Sequence, residues 1–161
     1  MEPAKTDAIV LHATGKGRFQ VEAQNGTSTI LVDEPVASGG TGLGPSPYDL
    51  LATALGACTL MTIRLYVERK GIHLEDTKVR VSHSRDALHG KDNFKREILL
   101  QGALTDEQRT RILLIADRCP VHMTMTRGSD VSTSVITNQA VFDGQAVPDC
   151  QHAGDMSEAC G

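Results

Sequence analysis

From Ser46 to Gly71 the apolar residues keep a helical period. Counted from Cys58, the positions Leu51, Ala54, Leu55, Met61, Thr62 and Leu65 fall on one face, so Cys58 points with the core stripe. Ser46 suits the N-cap, Pro47 the first helical position, and Asp49 the first turn, where a carboxylate complements the helix N-terminus. Gly71, preceded by Arg69 and Lys70, suits the stop. The glycine-rich run Gly39-Gly40-Thr41-Gly42-Leu43-Gly44-Pro45 leads into this helix and reads as flexible. It matches neither the dinucleotide fingerprint nor the P-loop.

Before it, Ala8–Ala13 and Arg18–Ala23 alternate in part around Gly15-Lys16-Gly17 and predict a hairpin. Asn25-Gly26 is a turn signal, and Thr29–Val32 predicts a third strand. After the helix, Thr77–Ser84 and Phe94–Gln101 predict two strands, paired antiparallel across a polar turn. Thr105-Asp106-Glu107-Gln108 opens a second helix with a capping box. Its apolar face carries Ile112, Ile115, Ala116 and Cys119, and Pro120 ends or kinks it. Val131–Thr137 and Ala140–Phe142 predict final strands. The order is α+β with a mainly antiparallel sheet. It is expected as one domain over residues 1–142, with a tail, 143–161, flexible and outside the core.

Composition narrows the function. A 161-residue chain with 40% hydrophobic content can build a core, although aromatics are 3% and tryptophan is absent. A net charge of −4 offers no footprint for nucleic acid or anionic membranes. The run Leu50–Ile63 is too short to span a bilayer, and Met1–Lys5 lacks a signal-peptide pattern. A cytoplasmic location is expected.

Cysteines at 58, 119, 150 and 160 form no CxxC pair. In a reducing compartment that leaves catalysis, metal binding or packing. Most free cysteines simply pack. If the two helices meet, however, Cys58 and Cys119 come within disulfide reach. A thiol at the end of a helix sees the negative end of the dipole, so Cys119 is expected to have a raised pKa and to suit a resolving role. Cys58 would then attack, and it needs a cation, with Arg18 and Arg64 as candidates.

Gly44-Pro45-Ser46-Pro47, Asp49-Leu50-Leu51-Ala52, Ala54-Leu55-Gly56-Ala57-Cys58-Thr59 and, some sixty residues on, Arg118-Cys119-Pro120-Val121-His122 together resemble the OsmC/Ohr family of osmotically induced and organic hydroperoxide resistance proteins. The resemblance extends to about Phe142. It implies an intertwined homodimer whose mainly antiparallel sheet wraps two central helices, with active sites at the dimer interface. It implies thiol-dependent reduction of organic hydroperoxides without a cofactor or metal, followed by re-reduction by an external dithiol such as a lipoyl group. Cys58 looks like the peroxidatic cysteine, Cys119 like the resolving one, and Arg18 of the partner chain like the thiolate-stabilising arginine.

In the peroxidase branches a glutamate directly follows the helix proline and orients that arginine. Tyr48 stands there in this chain, and the nearest carboxylate, Asp49, lies one residue on, about 100° round the helix. The pattern is closer to a less characterised OsmC-like branch.

Two rivals stand beside the peroxidase. One is a non-enzymatic dimer binding a small apolar or sulfur-containing molecule near the same thiols. The other is a metal site of Cys58, Cys119 and His122. A tail site of Cys150, His152 and Cys160 is a further arrangement, with solvated tail residues as the simpler reading.

Overall fold

The structure, a computed structural model, describes residues 8–26, 28–143 and 152–161. The chain forms two compact units, residues 1–47 with 130–150, and residues 48–129 with 151–161.

In the first unit, β1 (Val10–Ala13), β2 (Val21–Asn25) and β3 (Ser28–Val32) form an antiparallel sheet in that order. Arg18 lies in the bend between β1 and β2, not in a strand, with its guanidinium 5.1 Å from the Phe19 ring centre. The glycine-rich run is a pinned loop and not the expected flexible lead. Buried Asp33 accepts hydrogen bonds from the backbone N–H of Glu34 and from the backbone and hydroxyl of Thr41. The Thr41 hydroxyl and these amides hold its carboxyl below the usual range. A Cβ on Gly44 would sit 2.1 Å from the Leu31 carbonyl oxygen, and one on Gly40 1.9 Å from that of Glu34. Glycine is required at both because backbone packs on backbone.

The strands expected at Val131–Thr137 and Ala140–Phe142 do not form. Residues 131–137 have no regular structure, and 140–142 belong to a short helix, α4 (Gln139–Asp143). An alternating run becomes a strand only against a ladder partner, and among the described residues none pairs with it; Val131 and Val135 remain 88% and 87% exposed.

The second unit is built on α1 (Pro47–Lys70). Gly71 ends it at φ 62°, with Gly71 N–H donating to Glu68 O and Ile72 N–H to Val67 O, a Schellman stop. The whole helix, unlike the shorter run counted in the sequence, is long and apolar enough to cross a membrane by length and composition. Here it serves as a core helix: Leu55, Cys58, Thr59, Thr62, Ile63, Tyr66 and Val67 are buried in the protein. Leu51 and Met61, placed on the core stripe by periodicity, are about half exposed.

The hairpin of β4 (Asp76–Ser84) and β5 (Asn93–Gln101) pairs in register from Asp76↔Gln101 to Ser84↔Asn93. Gly56 brings α1 against Val79 and Val81 of β4. The capping box of α2 (Asp106–Ala116) forms as expected, with Gln108 N–H on Thr105 Oγ1 at 3.1 Å and Thr105 N–H on Gln108 Oε1 at 2.9 Å. Ile112, Ile115 and Ala116 join Ile63, Tyr66 and Val67 in the main core.

Two departures bear on the site. Helix α2 stops at Ala116, and a separate helix, α3 (Pro120–Arg127), starts after Cys119. The end of the tail is not outside the core: α5 (His152–Ala159) packs on α3, and Cys160 is 2% exposed within the main core. Arg69 holds α5 by hydrogen bonds to Ser157 O (2.7 Å) and Oγ (2.5 Å). Cys150 lies outside the described residues.

Candidate functional site

Cys58 and Cys119 meet. They share a buried cluster with Leu55, flanked by Val81, Phe94, Val121 and Met125, and are 2% and 0% exposed. Both are free thiols. The turn joining α2 to α3 makes this possible. Pro120 at the first position of α3 leaves Cys119 in an extended conformation (φ −60°, ψ 138°) as its N-cap.

This reverses the expected electrostatics of Cys119. It does not sit in the last turn of a helix; its sulfur accepts the His122 N–H at 3.3 Å at the start of the next one. The Cys58 thiol, that N–H, the Thr59 hydroxyl and the charge of Arg96 lower its pKa to about 6, against burial, which raises it. Cys58 is pushed up, first by its hydrogen bond to Cys119 and then by burial. The Val121 N–H, 3.5 Å from its sulfur, and the Thr62 hydroxyl act the other way. The two thiols are thus driven in opposite directions, Cys119 toward the thiolate and Cys58 away from it.

Arg96, unnoticed in the sequence, organises the back of the pair. It enters from β5, 11% exposed, and donates to Thr59 Oγ1 (3.0 Å), Ala116 O (3.1 Å) and Asp117 Oδ1 (2.5 Å). It thus ties β5 to α1 and to the end of α2. Thr59 has one proton for two acceptors, Leu55 O at 2.7 Å and Cys119 Sγ at 3.8 Å. A thiolate at Cys119 competes for that proton. The alternation of β5 marked Arg96 only as a strand residue. Its partners are 37 and about 20 positions away in sequence, and no local pattern encodes them.

His152 is the second residue the sequence left unassigned to the site. From the first turn of α5 its Nε2 lies 3.2 Å from Cys58 Sγ.

The other candidates fall elsewhere. Asp49 is nine residues before Cys58, about half a turn out of phase on α1. It lines a groove of about 420 Å³ with Ala52, Thr53, Gly56, Val79 and Val81, a groove that no cysteine lines. Arg18 belongs to the first unit. Arg64 is on the surface, paired with Glu68 at 3.0 Å. Tyr48 stacks on His83 at 4.2 Å, and its hydroxyl accepts from Arg85 at 3.1 Å. His83 in turn meets Asp92 at 2.7 Å. Among the described residues no group of three or more His, Cys, Asp or Glu side chains is placed to hold a metal ion, so Cys58, Cys119 and His122 do not assemble into one.

Comparison with known proteins gives the same outline. Residues 40–134 match the family model for OsmC-like proteins. No protein of curated function matches the chain. Among solved structures, the chain is similar to an osmotic stress induced and detoxification response protein from Psychrobacter arcticus, with 24% identity and a TM-score of 0.66 over 77% of this chain and 91% of that one. An OsmC-like protein from Mycoplasma pneumoniae matches with 22% identity and a TM-score of 0.60 over 77% and 89%. The organic hydroperoxide resistance protein OhrB of Bacillus subtilis matches with 21% identity and a TM-score of 0.52 over 75% and 91%. At these identities the solved structures speak for the fold alone. The family model covers well over half of the chain and spans Cys58 and Cys119, and on that match the chain belongs to the OsmC-like family.

Proposed function

We propose that this protein is a thiol-dependent peroxidase that reduces organic hydroperoxides to alcohols at the expense of an external dithiol. The observation that carries the reading is the buried pair of free thiols Cys58 and Cys119 in one apolar cluster. Organic hydroperoxide resistance proteins among the structural relatives support it.

In this reading a Cys58 thiolate attacks the distal peroxide oxygen. The S–O bond forms, the O–O bond breaks, and the leaving alkoxide takes a proton to become the alcohol. Cys119 then attacks the sulfenic sulfur and expels water, closing a Cys58–Cys119 disulfide. A resolving sulfur must itself be nucleophilic, and the lowered pKa of Cys119 suits that step. Thiol–disulfide exchange with the outside dithiol restores both thiols. The apolar side chains of Leu55, Val81 and Phe94 around the pair favour an alkyl peroxide over hydrogen peroxide.

The test mixes reduced protein with a slight excess of an alkyl hydroperoxide and follows intact mass. Wild type should lose two hydrogens, Cys119→Ser should trap one added oxygen on Cys58, and Cys58→Ser should trap none. An adduct on Cys119 in Cys58→Ser would invert the order of attack. Wild-type thiols that stay reduced for minutes would sink the enzyme reading. A non-enzymatic binder of a small apolar or sulfur-containing ligand would then take its place. What favours that second reading is Tyr48, which occupies the glutamate position of the peroxidase branches and is engaged by His83 and Arg85.

The same proposal includes a homodimer. Residues 131–137 carry a strand pattern without a ladder partner among the described residues, and a second chain would supply one.

A further inference from the structure

Chemistry at Cys58 requires its proton to leave, and Cys58 lies mid-helix with no lysine or arginine among its hydrogen-bonding partners in the described residues. Arg96 bonds on the Cys119 side, through Thr59 and the end of α2. Left to these groups, the charge of the pair rests on Cys119, the sulfur that should resolve and not attack.

The C-terminal helix changes this. The imidazole of His152 is placed on Cys58 Sγ, with Nε2 at 3.2 Å. Its position is not that of a loose end. Helix α5 is fastened by both Ser157 contacts to Arg69, by the burial of Cys160, and by the Cys160 thiol donating to Thr62 O at 3.4 Å. Thr62 and Arg69 lie one turn and three turns beyond Cys58 on α1. The tail thus grips the helix that carries the thiol and sets a base against it.

We propose that His152 is a catalytic base for Cys58, and that it decides which sulfur of the pair attacks. This rests on the peroxidase reading. With both thiols protonated, the Cys58 S–H proton passes to His152 Nε2, leaving a thiolate beside an imidazolium. The Cys119 S–H then donates to that thiolate, so the charge sits on Cys58. When the thiolate attacks the distal oxygen of an alkyl hydroperoxide, the imidazolium proton goes to the departing alkoxide. The products are a Cys58 sulfenic acid, an alcohol and a neutral imidazole, ready for Cys119 to condense and release water. Proton and electron counts close with the hydroperoxide as the only oxidant.

The experiment needs no peroxide. Reduced full-length protein is labelled with substoichiometric iodoacetamide at pH 7, and the ratio of label on Cys58 to label on Cys119 is read by peptide mass. His152→Ala and the closer-sized His152→Gln are compared with wild type. The expected result is a fall of about tenfold or more in that ratio for both variants. Added free imidazole should restore it in His152→Ala, where space for the ring has been opened. An unchanged ratio overturns the proposal. So does a ratio that rises, because His152 would then only shield the thiol, and so does a fall that imidazole leaves untouched, which marks a packing role. Melting curves identify a variant that fails to fold, and the other then carries the test. If labelling depends on His152 but alkyl hydroperoxide leaves wild type reduced, the base assignment stands and the peroxidase falls. If peroxide oxidises wild type and both variants equally fast, the peroxidase stands and the base assignment falls.

Discussion

At the scale of single residues, the thiol pair makes a pH signature that neither cysteine would show alone. Cys119 is held well below the 9.0 of a free thiol, and Cys58 above it. Between about pH 6 and 9 the unfolded chain keeps two protons on these sulfurs and the native pair keeps one. Stability contributed by Cys119 is therefore fully present near pH 9 and is lost as pH falls through 6. Above 9 the sign changes: the unfolded chain releases both protons while the native pair keeps one. The difference in denaturant stability between wild type and Cys58→Ala/Cys119→Ala should rise from pH 6 to 9, by at most about 1.4 kcal/mol per pH unit, and fall beyond it. Thiolate absorbance at 240 nm should titrate near pH 6 in wild type. It should move upward in Cys58→Ala, which removes the largest cause of the lowered value. A flat stability difference and an unmoved titration would mean that the two sulfurs do not share a proton.

At the scale of elements, the break between α2 and α3 does more than end a helix. It turns Cys119 from a residue facing carbonyl oxygens into one capped by a backbone N–H, and Arg96 holds the break closed through Ala116 O. Arg96→Met should raise the Cys119 pKa and cost about 1–3 kcal/mol, because a buried carbonyl and a hydroxyl lose their donor. The neighbouring Arg80 serves as control. Its pair with Glu97 at 2.8 Å lies in solvent, so Arg80→Met should change stability by less than about 1 kcal/mol and leave the thiol titration alone. Urea unfolding of both variants, with the 240 nm titration alongside, checks the contrast. At the same scale the sequence was readable where the signal is local. The Thr105 capping box, the Gly71 stop and the β4–β5 register depend on residues a few positions apart or on simple alternation. The Cys119 N-cap has no such local signal: Pro120 reads as a terminator, yet a proline serves equally as the first residue of a new helix.

At the scale of the whole molecule, the proposed homodimer would give the strand-like run 131–137 a partner. Exposed Ile9, Leu11 and Ile30 in the first unit, together with Val131 and Val135, are apolar surface that a second chain would cover. Sedimentation equilibrium at micromolar concentration should give twice the 17.3 kDa of one chain. Val131→Asp/Val135→Asp should shift the population to monomer. A wild-type monomer at these concentrations would leave residues 131–137 as plain surface chain and would remove the partner's Arg18 from any account of the chemistry.

The sequence by itself determined the elements whose causes are near neighbours: a long capped α1, an antiparallel hairpin and a capping box. It also put the two thiols forward, with a small-molecule binder and a metal site as rivals. Only the tertiary structure decided that Cys58 and Cys119 meet in one buried cluster, that Arg96 stands behind one of them, that His152 reaches the other, and that Asp49 lines a different groove. The reason is physical. A pKa and a hydrogen bond depend on what lies within a few ångströms, and His152 and Arg96 come from 94 and 37 positions away from their α1 partners, brought there by packing that no local period records.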